Sequence, residues 1–233
     1  MTWGTAATLA ARNATNTIPI VMRSAGDPVR TGLVVSLARP GGNITGYSIV
    51  GPEIDAKRLG LLRELLPGLQ RVGVLENSTN PHFRAARKEF EQACRSLGMQ
   101  SIIIEVAAAG ELENAIAELA RRQAQALFVQ GDGLFGDNRV ALMSAAFRYG
   151  FPTIAVGTAM LEAGALMSYV HSRAEADQRH DAFVDRILRG AIPADLPIEQ
   201  PTQFELGINL KTAKALGITV PQSLLLRADA VIQ

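Results

Sequence analysis

The feature that most constrains this chain is a repeated change of hydrophobic period between residues 71 and 156. Residues 71–76 (RVGVLE) read as a strand. Residues 81–97 follow with Ala86, Phe90, Cys94 and Leu97 at helical spacing, and Gly98 is a C-terminal stop. Residues 100–106 read as a second strand, after which Leu112, Ile116, Leu119 and Ala120 stripe a helix. A third strand is expected at 126–130, a helix at about 138–149 ended by Gly150, and a fourth strand at 152–156. Strand and helix alternating at this spacing imply βαβ units, a parallel sheet and right-handed crossovers that cover both its faces with helices. The repetition is architectural, with no sequence repeat beneath it.

The flanks carry the same grammar in shorter form. Residues 18–22 read as a strand, 29–38 as a helix and 44–47 as a strand after the turn RPGGN. Near the C-terminus, 175–189 is a strong helix with Ala176, Phe183 and Ile187 facing inward. A proline-rich connection (191–201), a strand (204–209) and a short helix (210–216) complete the pattern. Two α/β blocks joined by short crossovers fit this better than a string of independent domains.

Composition excludes several classes of function. The 233 residues carry 23 basic and 22 acidic side chains, so the net charge of +1 predicts no attraction to nucleic acid or to an acidic membrane. Aromatic residues make up 5%, too sparse for base-stacking platforms. Apolar runs such as 101–106 are far too short to span a bilayer. The single cysteine, Cys94, excludes an intrachain disulfide, and its apolar helical face predicts an inert core thiol. The N-terminal stretch has no basic n-region and no leucine-rich h-region, so no signal peptide is expected in the chain as it stands.

In an open α/β sheet, ligands sit beyond the carboxyl ends of the strands, where helix N-termini offer free N–H groups. Two such loops share a design. Asp27 and Asn80 each occupy an N-cap position, with Pro28 and Pro81 at the first helical position. Helix capping alone accounts for either loop. The second is richer, since Asn77, Ser78 and Thr79 add hydrogen-bonding side chains suited to a carboxylate or polar head group. A third loop, GDGLFG at 131–136, is a literal G-x-G-x-x-G between strand and helix, which leaves an α/β nucleotide-binding enzyme or sensor as an alternative. Against that, Asp132 would repel a pyrophosphate, and no acidic residue follows the next strand to hold a ribose. Asp132 is better placed to accept from a ligand amine or hydroxyl.

No catalytic constellation is visible, and no enzymatic activity, cofactor or metal is expected. His82, His171 and His180 have no metal-ligand spacing, and His82 and His180 are expected at surface or boundary positions. There is no Walker A motif, no G-x-S-x-G and no nucleophile with an evident base.

The segment TIPIVMRSAGDPVRTGLVVSLARPGGNITGYS resembles the signature of the ABC transporter substrate-binding protein family that includes tryptophan-binding lipoproteins. Further matches are AKRLGLLRELLPGLQRVGVLENSTNP, the segment ending ALMSYV, and the C-terminal block RILRGAIPADLPIEQPTQFELGINLKTAKALGITVPQSLLLRADAVI. The resemblance implies a type I periplasmic-binding fold, in which two Rossmann-like lobes with parallel sheets close on a small-molecule ligand, such as an amino acid. It also implies delivery to an ABC permease and its ATPase, and a periplasmic or membrane-anchored extracytoplasmic location. Carried onto this chain, Gly4, Thr5, Asp27, Pro28, Asn77, Ser78, Thr79, Asn80, Asp132 and Gly157 would face the interlobe cleft. Trp3, the single tryptophan, would lie beside them at the mouth of the first helix.

One departure from the family pattern shapes the expected domains. Members begin with an export signal and further strands and helices before the position equivalent to Trp3. This chain is therefore expected to carry a truncated, partial N-terminal lobe (1–51), a complete C-terminal lobe (52–165) and a return segment shared between lobes (166–233). A non-binding remnant, or a homodimer formed through the incomplete lobe, follows as a further expectation.

Overall fold

The structure is a computed structural model describing residues 1–49 and 52–233. In chain order its first half contains α1 (Gly4–Ala14), β1 (Ile20–Ala25), β2 (Ile44–Ser48), α2 (Pro52–Leu65), β3 (Arg71–Asn77), α3 (Pro81–Ser96) and β4 (Gln100–Val106). There follow α4 (Leu112–Arg121), β5 (Ala126–Val129), α5 (Gly133–Asp137), α6 (Arg139–Arg148), β6 (Thr153–Ala155) and α7 (Thr158–Glu162). The chain ends with β7 (Met167–His171), α8 (Arg173–Leu188), β8 (Phe204–Asn209), α9 (Leu210–Ala215), α10 (Gln222–Leu225) and β9 (Ala230–Ile232). It divides into two compact units. One comprises Met1–Gly51 (1–49 described), Thr79–Ala86 and His171–Phe204; the other comprises Pro52–Ser78, Arg87–Val170 and Glu205–Gln233. The boundary expected after residue 51 lies outside the described residues.

The larger unit is built on a seven-stranded sheet in the order β4-β3-β5-β6-β7-β8-β9. The pairs β3–β4, β3–β5, β5–β6, β6–β7 and β8–β9 are parallel. Side chains alternate between two cores, as the pleat requires. Val72, Val74, Ala126, Phe128 and Ile154 join Leu59, Leu62, Phe90 and Cys94 on the α2–α3 face. Leu75, Leu127, Val129 and Ala155 join Ile116, Leu119, Leu142 and Met160 on the α4–α7 face. The Phe90 ring meets Phe128 edge-on with centroids 5.0 Å apart. Cys94 is fully buried beside them, and burial pushes its thiol up to about 12, so it is the inert core residue the helix stripe predicts. Gly98 ends α3 at φ +70°, a left-handed conformation cheap only for glycine.

The smaller unit has a parallel β1–β2 pair, with Met22 opposite Gly46. Each outer edge carries one further parallel bridge, Thr2 to Met22 and Tyr47 to Glu199. Gly46 has φ +127°, and a Cβ there would lie 2.2 Å from the Met22 carbonyl oxygen. Only glycine permits that pairing. Helix α8 buries Ala176, His180 and Phe183, and Phe183 packs with Val21 and Leu196. At the start of α8, Glu175 accepts from the backbone N–H groups of Thr202 (3.2 Å) and Gln203 (3.1 Å) and from the Thr202 hydroxyl (2.5 Å). Burial raises the Glu175 carboxyl, but these donors outweigh it and hold the group below its ordinary value. Loss of solvent first, and the same carboxylate second, push the buried Tyr47 hydroxyl far upward.

Three expectations need correction here. Residues 29–38 form no helix. After one turn closed by Thr31 N–H on the Asp27 carbonyl, Leu33 and Val34 both donate to the Pro28 carbonyl, Gly32 turns to φ +69°, and Val35 donates to Pro40. A left-handed glycine followed by two β-branched valines outweighs the apolar spacing. Strand β1 begins and ends later than expected, because Ile18 is exposed, Pro19 lacks an N–H, and Arg23 still donates to the Thr2 carbonyl. His180 is not a surface residue; it is 3% exposed, on the inward stripe of α8.

Candidate functional site

The strand order of the larger unit has a topological switch point. The chain leaves β3 to form β4 on one side and then returns to form β5 on the other. At such a point the flanking loops diverge, leaving a crevice beyond the carboxyl ends of the two strands. Asn77 is the last residue of β3 and is 8% exposed. Asp132 follows β5 and caps α5. Its Oδ1 accepts from the Leu134 backbone N–H at 2.8 Å and from Asn77 Nδ2 at 2.9 Å. The two polar residues singled out in separate loops are thus brought together across the crevice.

Gly157 stands at the end of the neighbouring β6 with φ +112°, and a Cβ there would meet nothing within 4 Å. Ser78 is exposed, and both its backbone N–H (2.9 Å) and its hydroxyl (3.4 Å) donate to the Val106 carbonyl at the end of β4. The glycine fingerprint is not an open phosphate cradle. Residues 133–137 are a short helix whose Leu134 N–H is already held by Asp132, where an anion would need it.

In the smaller unit, the remaining sequence candidates are largely held by local hydrogen bonds. Gly4 and Thr5 lie in the first turn of α1, and the buried Thr5 hydroxyl accepts from the Gly26 N–H at 3.0 Å. Asp27 Oδ1 accepts from Val29 (3.1 Å) and Arg30 (2.9 Å), while Pro28 is buried; Asp27 therefore caps one turn and not the expected helix. The buried Asn80 caps α3 through the His82 N–H at 3.1 Å, and Thr79 before it is exposed. Trp3 is exposed, with the Arg23 guanidinium 4.7 Å above its ring.

Sequence reasoning missed two groups near the crevice. Glu76, next to Asn77 on β3, is 1% exposed, and its Oε2 accepts from Arg87 Nη2 at 2.5 Å and Nε at 2.9 Å; Arg87 also bonds Glu105. Burial pushes the Glu76 carboxyl above its ordinary range despite the pull of Arg87. A lone Glu inside an apolar run, opposite Glu105 on the next strand, was the available signal. Gln130, one residue past β5, is 6% exposed, and it carried no comparable signal. Among the described residues, no group of three or more His, Cys, Asp or Glu side chains is arranged to hold a metal ion.

The profile of the family described as ABC transporter substrate binding protein matches residues 1–232. The chain belongs to this family. Its fold is the type I periplasmic-binding fold of such proteins. A tyrosine-binding protein of Clostridioides difficile (strain R20291) is 28% identical over 209 residues, which are 90% of this chain and 60% of that protein. The chain therefore spans less than two thirds of that curated relative. Among solved structures, an ABC domain from Streptococcus pneumoniae in complex with L-Trp superimposes with a TM-score of 0.92 at 28% identity, covering 99% of this chain and 77% of the other. A ligand-free, open substrate-binding protein with adhesive properties from Clostridium difficile gives 0.69 at 25% identity, with the same two coverages.

Proposed function

We propose that this substrate-binding protein is the solute-binding component of an ABC-type importer and that its ligand is an amino acid. The observation that carries the ligand class is the polar pair Asn77–Asp132, seated at the switch point where a doubly wound sheet receives its ligand. Relatives named for tyrosine binding and solved with L-Trp favour aromatic amino acids as the first probes. Asp132 and Asn77 form the polar end of the site, and Gly157 leaves bare backbone beside them. Partnership with a permease and its ATPase, and an extracytoplasmic location, belong to the same reading. Isothermal titration of the chain against the amino acids, with purines and sugars as controls, is the direct test. Heat of binding for an amino acid in a stoichiometric complex is the expected result; silence across the amino acids removes the ligand class.

A further inference from the structure

Among the described residues, Gln130 Oε1 and Glu76 Oε1 are both buried at the switch point without a hydrogen-bond partner, and Glu76 is held by Arg87 through its other oxygen. Gln130 is 6% exposed, and among the described residues no protein group donates to its buried Oε1. Buried amide oxygens in native proteins are nearly always paired, so an orphan at the carboxyl edge of a parallel sheet calls for a partner from outside the chain. Its position is fixed by the strand. Val129 pairs with Leu75 on one side and Ala155 on the other, and Gln130 comes one step later, level with Glu76. The alternation of Ala126 and Phe128 carries it to the α2–α3 face, the face of Glu76. Gly133, three residues further on, is exposed, and a Cβ there would meet no atom within 4 Å.

The electrostatics select which end of a ligand belongs there. The Asp132 carboxylate stands at the same edge, Glu76 beside it is already paired with Arg87, and the orphaned atom of Gln130 is an acceptor. An acceptor backed by negative charge favours a cationic donor over an anion. We infer that Gln130 is a ligand-specificity residue that accepts a hydrogen bond from the ligand's ammonium group, so that the larger unit reads the amino end of an amino acid. This rests on the reading of the protein as an amino-acid-binding component.

The test compares wild type, Gln130→Met and Gln130→Glu by isothermal titration. The probes are L-tryptophan and L-tyrosine, each beside its des-amino analogue, with the rest of the amino-acid panel alongside. Methionine keeps the volume and removes the acceptor. It is expected to weaken amino-acid binding about tenfold or more while leaving the des-amino analogue's affinity unchanged. Glutamate keeps the acceptor and adds charge, so Gln130→Glu is expected to bind the amino acid at least as tightly as wild type. Undiminished amino-acid affinity in Gln130→Met overturns the assignment while leaving the proposed function standing. Selective loss in Gln130→Glu overturns it too, since that would place the ligand carboxylate there. A wild-type chain silent to every amino acid overturns both readings.

Discussion

Removing the Asp132 side chain should destabilise the larger unit by an amount that can be assembled from its bonds. Asp132→Ala deletes the N-cap of α5, where the carboxylate accepts from Leu134 N–H at 2.8 Å. Loss of such a cap costs about 1 kcal/mol. It also deletes the acceptor of Asn77 Nδ2 at 2.9 Å, a charge-assisted bond to a residue that is 8% exposed. Taking that acceptor from a buried amide costs roughly 1–3 kcal/mol, giving about 2–4 kcal/mol in all. Asp132→Asn keeps an oxygen in the same place and is an equally good cap, so it should stay within about 1 kcal/mol of wild type. Urea denaturation followed by circular dichroism, on both variants and on Asn77→Ala with the Asp132→Ala double mutant, closes a cycle. The expected coupling between the two side chains is about 1 kcal/mol. Asp132→Ala as stable as wild type, or strict additivity in the cycle, would refute the account of this pair. The cycle also separates stability from recognition: affinity lost in the well-folded Asp132→Asn would report the charge alone.

The buried carboxylate on β3 makes a second prediction. Arg87→Met leaves Glu76 without its cation and should cost about 2–3 kcal/mol at neutral pH, the lower end for a broken buried pair because Arg87 is partly exposed. The Glu76 carboxyl is raised in the native state, so its contribution is fully present below the ordinary carboxyl range and lost as pH rises. The variant's deficit should therefore shrink between pH 7.5 and pH 5 in denaturation curves, and a deficit that grows on acidification would contradict this. Gly46→Ala forces a Cβ to 2.2 Å from the Met22 carbonyl oxygen and should cost at least about 3 kcal/mol; a melting temperature within a few degrees of wild type would show that β1 and β2 do not pair in this register. His180 is held below its ordinary value by burial, with Arg23 adding to the effect against Asp181. Its contribution to stability is full above about pH 6.5 and falls as pH drops from there toward the depressed native value. Thermal melts from pH 8 to pH 5 should show a smaller acid-side loss for His180→Gln than for wild type.

The contrast between what the sequence disclosed and what it hid follows from the range over which each signal acts. The stretch from β3 to β6 was legible because period and burial coincide there. Val72, Val74, Phe128 and Ile154 face one core, Leu75, Val129 and Ala155 the other, and a simple alternation reports both. The helix expected at 29–38 does not form because apolar spacing says nothing about φ, and Gly32 in a left-handed turn ends what the pattern would continue. His180 is legible in principle: Ala176, His180, Phe183 and Ile187 recur at helical spacing, which puts the histidine on the inward stripe with its neighbours. The GDGLFG loop shows the opposite hazard, a motif correct in letters whose backbone donor is spent on its own aspartate. Asn77 and Asp132 each stand out in the sequence as loop residues, yet no local rule pairs them. Their contact at 2.9 Å exists only because β3 and β5 become neighbours after an excursion through β4. Gln130 lay beyond reach for a different reason. A glutamine after an apolar strand is ordinary in any sequence, and what singles it out is the partner the finished sheet fails to provide. Sites of this kind are defined by what the fold leaves unsatisfied, and so they become visible only once every other polar group has been accounted for.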